Sequence, residues 1–444
     1  MMDISGHKHD RTNRYNDMST KRSGICTVIV VASLLTQSAL IAQPAADKTG
    51  TTIGSPERDL VSPLVARRLR AVHAIAELAE ISEAQWNGLE QALKDKDPRV
   101  RHRVLKLYAD HPAAAAKAID ELLPLMADAA PGEKSPVWVA AGEAIAAVGP
   151  SVIPDLIRKL EPAVDEIMYR SACAALAKIG PASEPALQRL IVLLADDEIA
   201  VGPVLFVLQE IGAKAAPAVP LLIRRLDDED FHRQYWTCRV LGAIGKESEP
   251  SIPKLLDLME NGVTSVRRNA AMALGNIGIS SDGVLNGLDA ALRDPLAPVR
   301  QEALIALGKL GPKAARSLDK IKAIANDEGG SSQADAAWAW WRIAGDSKGA
   351  ANVLLRELKG YGAPWDAARY LAEMAVAAEA IEPIIAILDE PRVETRVFAI
   401  KTLELIGPPA SSAKAPLLEM RKDPDADVRE AAEKALVAIM RKDQ

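Results

Sequence analysis

Aromatic side chains are scarce in this chain: 4 % of its 444 residues are Phe, Trp or Tyr, and only three are Phe. With 49 % hydrophobic residues, a core so poor in rings has to be filled by Ala, Leu, Ile and Val. Alternating runs of Val, Ile, Thr and Tyr, the mark of half-buried strands, are also missing. Ala and Leu lose little on entering a helix, so long stretches rich in them predict an all-α fold. Cysteine is rare as well: Cys26, Cys173 and Cys238 form no CxxC or CxxCH pattern, and six scattered histidines, His7 and His9 among them, complete no Cys/His metal spacing. No cofactor, metal or haem is expected. Positive charge is in deficit, with a net charge of −6. Residues 1–42 carry five Lys/Arg against three Asp, so the remainder is more acidic still. That balance argues against general nucleic-acid binding, which needs clustered cations to displace phosphate counterions. G-x-S-x-G, H-E-x-x-H, a phosphate loop and a dinucleotide glycine motif are all absent. The run Asp227-Asp228-Glu229-Asp230 reads as a turn, and the chain is expected not to be an enzyme.

What is present begins with an export signal. Lys21 and Arg22 precede an apolar run, Ile25 to Leu35, that continues through Ala42. A basic start, an apolar stretch and a small residue at its end describe a secretory signal over 18–42, cleaved to leave Gln43 first. Met18 is the expected initiator, with 1–17 a polar extension. The alternative is an uncleaved anchor, because 18 residues lie near the lower limit for crossing a bilayer. Both readings place the body outside the cytoplasm, periplasmic or extracellular, and only the second involves a membrane. Residues 43–60, rich in Gly, Pro, Thr and Ser, read as a flexible linker.

Glycine then supplies a ruler. Gly149, Gly180, Gly212, Gly245, Gly278, Gly311 and Gly345 stand 31 to 34 residues apart, and the series continues at Ala375 and Gly407. Most marks close a phrase of the form A-x-x-[AL]-x-x-[IVL]-G, clearest in Val266–Gly278 and Val299–Gly311. Inside it, Val266, Ala270, Ala273, Leu274 and Ile277 fall on one helical face. The glycine suits a left-handed residue that ends a helix, and Pro follows directly at 150, 181, 312 and 408. A second amphipathic segment comes next, with Pro154, Pro220, Pro253, Pro383 and Pro416 near its start. Two short helices per period can bury their apolar faces only by stacking. The pattern predicts an α-solenoid, an α–α superhelix of about eleven two-helix repeats over residues 61–444.

The phrase D-P-x-x-V-R-x-x-A-x-x-A-L-x-x-[IL]-G resembles the HEAT family, especially its short phycobilin-lyase-like subclass, from about residue 61 to 440. The resemblance implies a structural ladder of turn Asp and helix Arg, matched here by Asp97 with Arg101, Asp294 with Arg300 and Asp423 with Arg429. Arg267 and Arg396 hold the same helical position. Trp138, Tyr169, Val201, Gln234, Ala334 and Pro364 replace that Arg in other copies, where ladder bonds should be absent. The family's fold serves scaffolds, bilin-attaching enzymes and glycosylases, so fold does not settle function. By that analogy a lyase-type activity is the enzymatic alternative.

In such solenoids the helix bearing V-R lines the concave side. Its non-core positions, those of Arg268, Met272 and Gly275, give Arg170, Gln209, Tyr235, Arg239, Arg268, Arg342, Trp365 and Arg369 as candidate contacts. Arg, Tyr and Trp dominate protein interfaces. A second candidate is the aromatic cluster Trp338, Trp340, Trp341, Trp365 and Tyr370, either core filling or a ligand or glycan groove. Within it Trp340 and Tyr370 share a repeat position and are expected to pack on one another. Cys173 and Cys238, two repeats apart or about 20 Å, are too distant for a disulfide. The reading is a monomeric scaffold that binds a protein partner on its concave face. The alternatives are an enzyme or small-ligand binder using 338–370, and an envelope-tethered structural module.

Overall fold

The computed structural model describes residues 55–160, 165–196, 200–327, 330–360, 364–374 and 381–441. The signal over 18–42, the 1–17 extension and most of the expected linker lie outside them. The linker ends earlier than its composition suggests: Pro56–Asp59 is helical and Leu60 is buried. Proline at the helix start costs no hydrogen bond there, and Leu60 gives the turn an apolar anchor.

The repeats consist of a lead helix, a short turn and a return helix. The lead helices are Val65–Ala76, Pro98–Asp110, Val137–Ala147, Glu166–Ile179, Gly202–Ile211, Phe231–Ile244, Thr264–Ile277, Ala297–Leu310, Gln333–Ala344, Pro364–Met374, Val393–Ile406 and Ala426–Met440. Each packs on the next in chain order. Among the described residues there is no strand, and one isolated bridge joins Pro131 to Pro136. The predicted apolar face of the 264–277 helix is the core face: Val266, Ala270, Ala273, Leu274 and Ile277 are all buried. Gly202–Arg225 is apolar and long enough to cross a membrane, yet Val204, Leu205, Val207, Leu208 and Leu222 within it belong to the same core.

Every ruler glycine has positive φ, but the junctions are of two kinds. Gly278 and Gly345 are left-handed helical, followed by a loop in which Ser281 or Asp346 caps the return helix. Gly311, at φ 62° and ψ −140°, represents the others: its ψ lies in a region open only to glycine and leads straight into a 3₁₀ turn. The sequence expectation of a uniform left-handed cap is corrected accordingly.

Lead helices meet backbone to backbone through a column of glycines. A Cβ on Gly275 would lie 2.6 Å from Ala306 Cα, and one on Gly242 or Gly308 would lie 3.1 Å from Ala273 Cα or Ala339 Cα. Return helices approach through side chains instead, as where Gly287 faces Leu256 and Met259.

The Arg–Asp ladder exists with a different pairing from the expected one. Arg267 chelates Asp294 at 2.8 and 3.1 Å, Arg396 chelates Asp423 at 3.0 and 3.0 Å, and Arg68 chelates Asp95 at 2.5 and 2.9 Å. Each Arg thus takes the carboxylate 27 residues downstream. Arg300 and Arg429, expected on the carboxylates of Asp294 and Asp423, donate to those residues' carbonyls, at 2.8 and 2.7 Å. Arg101 likewise pairs with Asp128, while Asp97 caps its own helix and holds Arg99. The reason is direction: side chains lean toward the helix N-terminus, over the turn that closes the next repeat. Nor are all substituted copies without a bond. The Tyr169 hydroxyl donates to the Ala200 carbonyl at 3.0 Å, and the Gln234 amide to the Leu226 carbonyl at 3.2 Å. Cys173 and Cys238 are free and buried, and burial pushes both thiols up to about 12.

Candidate functional site

Three of the residues chosen from the sequence converge. Gln209 sits near the end of the 202–211 helix, and Tyr235 and Arg239 lie one turn apart on the 231–244 helix. Arg239 donates from Nε to Gln209 Oε1 at 3.0 Å, and its guanidinium carbon lies 5.8 Å from the Tyr235 ring centre and 5.3 Å from that of Trp236. Tyr235 and Trp236 meet edge to face at 5.4 Å, and Phe206, 41 % exposed, meets Trp236 at 6.3 Å. No carboxylate pairs with Arg239 among the described residues. The arrangement is a planar cation braced by an amide and two rings, with its outer N–H groups unspent and an apolar ridge beside it. Such a surface can take a carboxylate and an apolar side chain together. Phe206 and Trp236 were not singled out by the sequence reading. Phe206 sits at the Met272 position and was legible there, whereas Trp236 matches buried Asn269 and Glu302 and gave no surface signal.

The other sequence-chosen residues do not join this patch. Arg170 is held by Glu166 on its own helix, at 2.6 Å, and Arg268 lies 3.4 Å from Glu302. Trp365, 56 % exposed, packs edge to face on Phe398 at 5.1 Å, with Lys401 Nζ 4.5 Å above it. Arg369 covers Tyr370 at 4.4 Å and pairs with Asp366. Arg342 is exposed beside Trp338 and Trp341.

The aromatic cluster divides. Trp338, Trp340 and Tyr370 are buried, Trp341 is half-buried and Trp365 is on the surface. Tyr370 stacks on Trp338, at 5.5 Å and 28°, and not on Trp340 as their shared repeat position suggests. Trp340 turns instead toward Gly349, where any Cβ would lie 2.5 Å from its ring. Buried polar atoms are matched within the pair: Trp338 Nε1 donates to Glu373 at 3.0 Å, and the Tyr370 hydroxyl to Asp335 Oδ1 at 2.6 Å.

Asp335 itself is buried, and burial raises its pKa from 3.8 to about 6, outweighing the hydrogen bond from Tyr370 that lowers it. The folded protein therefore holds this proton more tightly than the unfolded chain, so the group costs stability as pH rises from about 4 to about 6. Asp335→Asn keeps an acceptor for Tyr370 and removes the charge. Urea unfolding at pH 4 and pH 7.5 should show the variant more stable by about 2–3 kcal/mol at the higher pH only. An unchanged pH slope in the variant would assign the titration to another group.

A family model described as HEAT repeats matches residues 204–275, 252–340 and 363–437. No curated protein sequence matches the chain. Among solved structures, importin β is 14 % identical with a TM-score of 0.54, covering 87 % of this chain and 62 % of its own. Kap121p bound to Pho4p is 13 % identical with a TM-score of 0.54, covering 86 % of this chain and 53 % of its own. The chain thus spans only 62 % and 53 % of the lengths of these two proteins, and at such identities the likeness is one of fold.

Proposed function

From the premise that this chain is a solenoid of HEAT repeats, we propose that it is a non-catalytic scaffold that binds a protein partner along its lead helices. The observation that carries the reading is Arg239, braced by Gln209, Tyr235 and Trp236 yet lacking an acidic partner among the described residues. A half-buried Arg held among rings is the type of group that dominates interface energies once a partner covers it. The partner segment should offer a carboxylate flanked by apolar side chains. The proposed face is the concave one. Supporting this, lead helices approach through Gly242, Gly275 and Gly308 at backbone distance while return helices are held apart by side chains, and the closer layer of a curved stack is its inner one. Kap121p is a fold neighbour bound to Pho4p, and a protein ligand is proposed here by analogy. The groove alternative over 338–370 has little left to stack a ligand, because Trp338, Trp340 and Tyr370 are buried.

The proposal includes export through residues 18–42 and a monomeric state. Affinity capture should use the natively processed chain against the exported proteins of its own cell, with Arg239→Glu and Trp365→Ala as parallel baits. The processed bait should begin at Gln43. A partner identified with the native bait should bind Arg239→Glu at least tenfold more weakly in a purified titration, as expected for a central Arg. Equal affinity for all three baits would remove this face from the contact.

A further inference from the structure

A second surface, on other helices, carries its own chemistry. A cleft of about 730 Å³ opens between the helix Glu83–Ala92 and the short helix Pro112–Lys117. That is within the size range of small-molecule sites, roughly 300–1,000 Å³. Three rings form one wall: Trp86 lies 5.1 Å from Tyr108 and 5.3 Å from His111, tilted to the first and edge-on to the second. Tyr108 is fully buried, so this wall is anchored in the core.

Around the rings stand Glu83, Glu90 and Asp110, none of them in an ion pair among the described residues. Most carboxylates that face a neighbouring repeat here are paired, as Asp95, Asp128, Asp294 and Asp423 are. Lys117 at the rim is the single opposing cation in the lining. The His111 ring is held in place by Nδ1, which donates to the Leu107 carbonyl at 2.9 Å. The cleft thus presents the Trp86 ring and three carboxylates, a set complementary to positive charge with N–H donors.

We propose that this cleft binds an organic cation bearing N–H donors, a guanidinium or ammonium group, seated against Trp86, which Tyr108 backs from the core, and held by Glu83, Glu90 and Asp110. The cation can be a free small molecule or the Arg or Lys side chain of a peptide, and the chemistry is the same for both.

Calorimetric titration of the full chain with N-acetyl-arginine methylamide tests this against its neutral isostere, N-acetyl-citrulline methylamide. The arginine probe should bind with a dissociation constant of about a millimolar or tighter. The citrulline probe should bind at least tenfold more weakly, because it loses the charge and keeps the shape. Glu90→Gln should weaken the arginine probe about threefold without lowering the melting temperature. Trp86→Phe should keep most of the affinity and Trp86→Leu should lose it, which separates ring recognition from loss of fold. Methylguanidinium then distinguishes the sources: affinity equal to that of the arginine probe indicates a free cation, and affinity at least tenfold weaker indicates a side chain on a peptide. Citrulline binding within twofold of arginine, or no heat from either probe at about 10 mM, would overturn the proposal.

Discussion

Gly275→Leu should cut the solenoid into two independently melting halves. Even the first carbon of the new side chain would lie 2.6 Å from Ala306 Cα and 2.7 Å from its Cβ, with the next lead helix as the obstacle rather than a movable side-chain end. Relief requires the 264–277 and 297–310 helices to separate, which breaks the contact layer on which both depend. Overpacking of this kind costs about 3 kcal/mol, and the small gain in helix propensity over glycine, about 1 kcal/mol, does not offset it. In a solenoid each repeat touches only its neighbours, so damage at one interface uncouples everything on either side. The check is urea unfolding followed by circular dichroism. The native chain should show coupled loss of helix, and the variant two steps. Gly202→Ala is the control, because nothing lies within 4 Å of its Cβ position, and it should be neutral or slightly stabilising. A single native-like transition for Gly275→Leu would mean that the lead helices are not in the backbone contact described.

Asp423→Ala should be nearly as severe, for an electrostatic reason. Asp423 binds Arg396 through both oxygens, at 3.0 and 3.0 Å, and also accepts the Asp425 N–H at 2.9 Å. Both residues are partly buried, with side chains 11 % and 7 % exposed. Removing the carboxylate leaves the guanidinium facing only the Glu390 and Pro391 carbonyls. Breaking one side of a buried pair costs about 3–5 kcal/mol, whereas replacing both sides by apolar groups is often close to neutral. The double variant Arg396→Met, Asp423→Leu should therefore recover most of the loss. Glu419→Gln, which breaks an exposed pair with Lys422, should change stability by less than about 0.5 kcal/mol.

A pH series adds an independent reading. Burial alone would raise the Asp423 pKa, but the Asp425 N–H, the Arg396 hydrogen bond and the charges of Arg396 and Arg429 hold it below its ordinary 3.8. The contribution is complete above that value and is lost as pH falls through the depressed one. Acid unfolding below about pH 4 should be less steep in Asp423→Ala than in the native chain. An equal slope would place the acid-sensitive group elsewhere.

The repeat frame was legible because helix ends are local events. The ruler glycines found by spacing are those with positive φ, since a chain must reverse after each lead helix and glycine does so without a Cβ penalty. The ladder's residue types were legible too, but their partners were not. Arg267 and Arg396 looked like spare copies of a motif, and only stacking brings each to an Asp of the following turn. The pairing of Trp340 with Tyr370 failed for a related reason. Gly275 faces Ala306, but after the longer step to Gly345 the equivalent Gly308 faces Ala339 and Trp338. One added residue rotates the next helix, so equal repeat position no longer means contact.

Sequence by itself determined the class, the repeats, the positions of the junctions and the core face, because each follows from periodicity within one helix and the chemistry of its ends. Tertiary structure alone decided which side chains meet across repeats. Gln209 reaches Arg239 from the neighbouring lead helix, and Trp86 on the 83–92 helix meets Tyr108 and His111 at the end of the 98–110 helix. Those meetings depend on the rotation and rise between helices where Gly242, Gly275 and Gly308 pack; the even spacing of these glycines is visible along the chain, but the side-chain partners it creates are not.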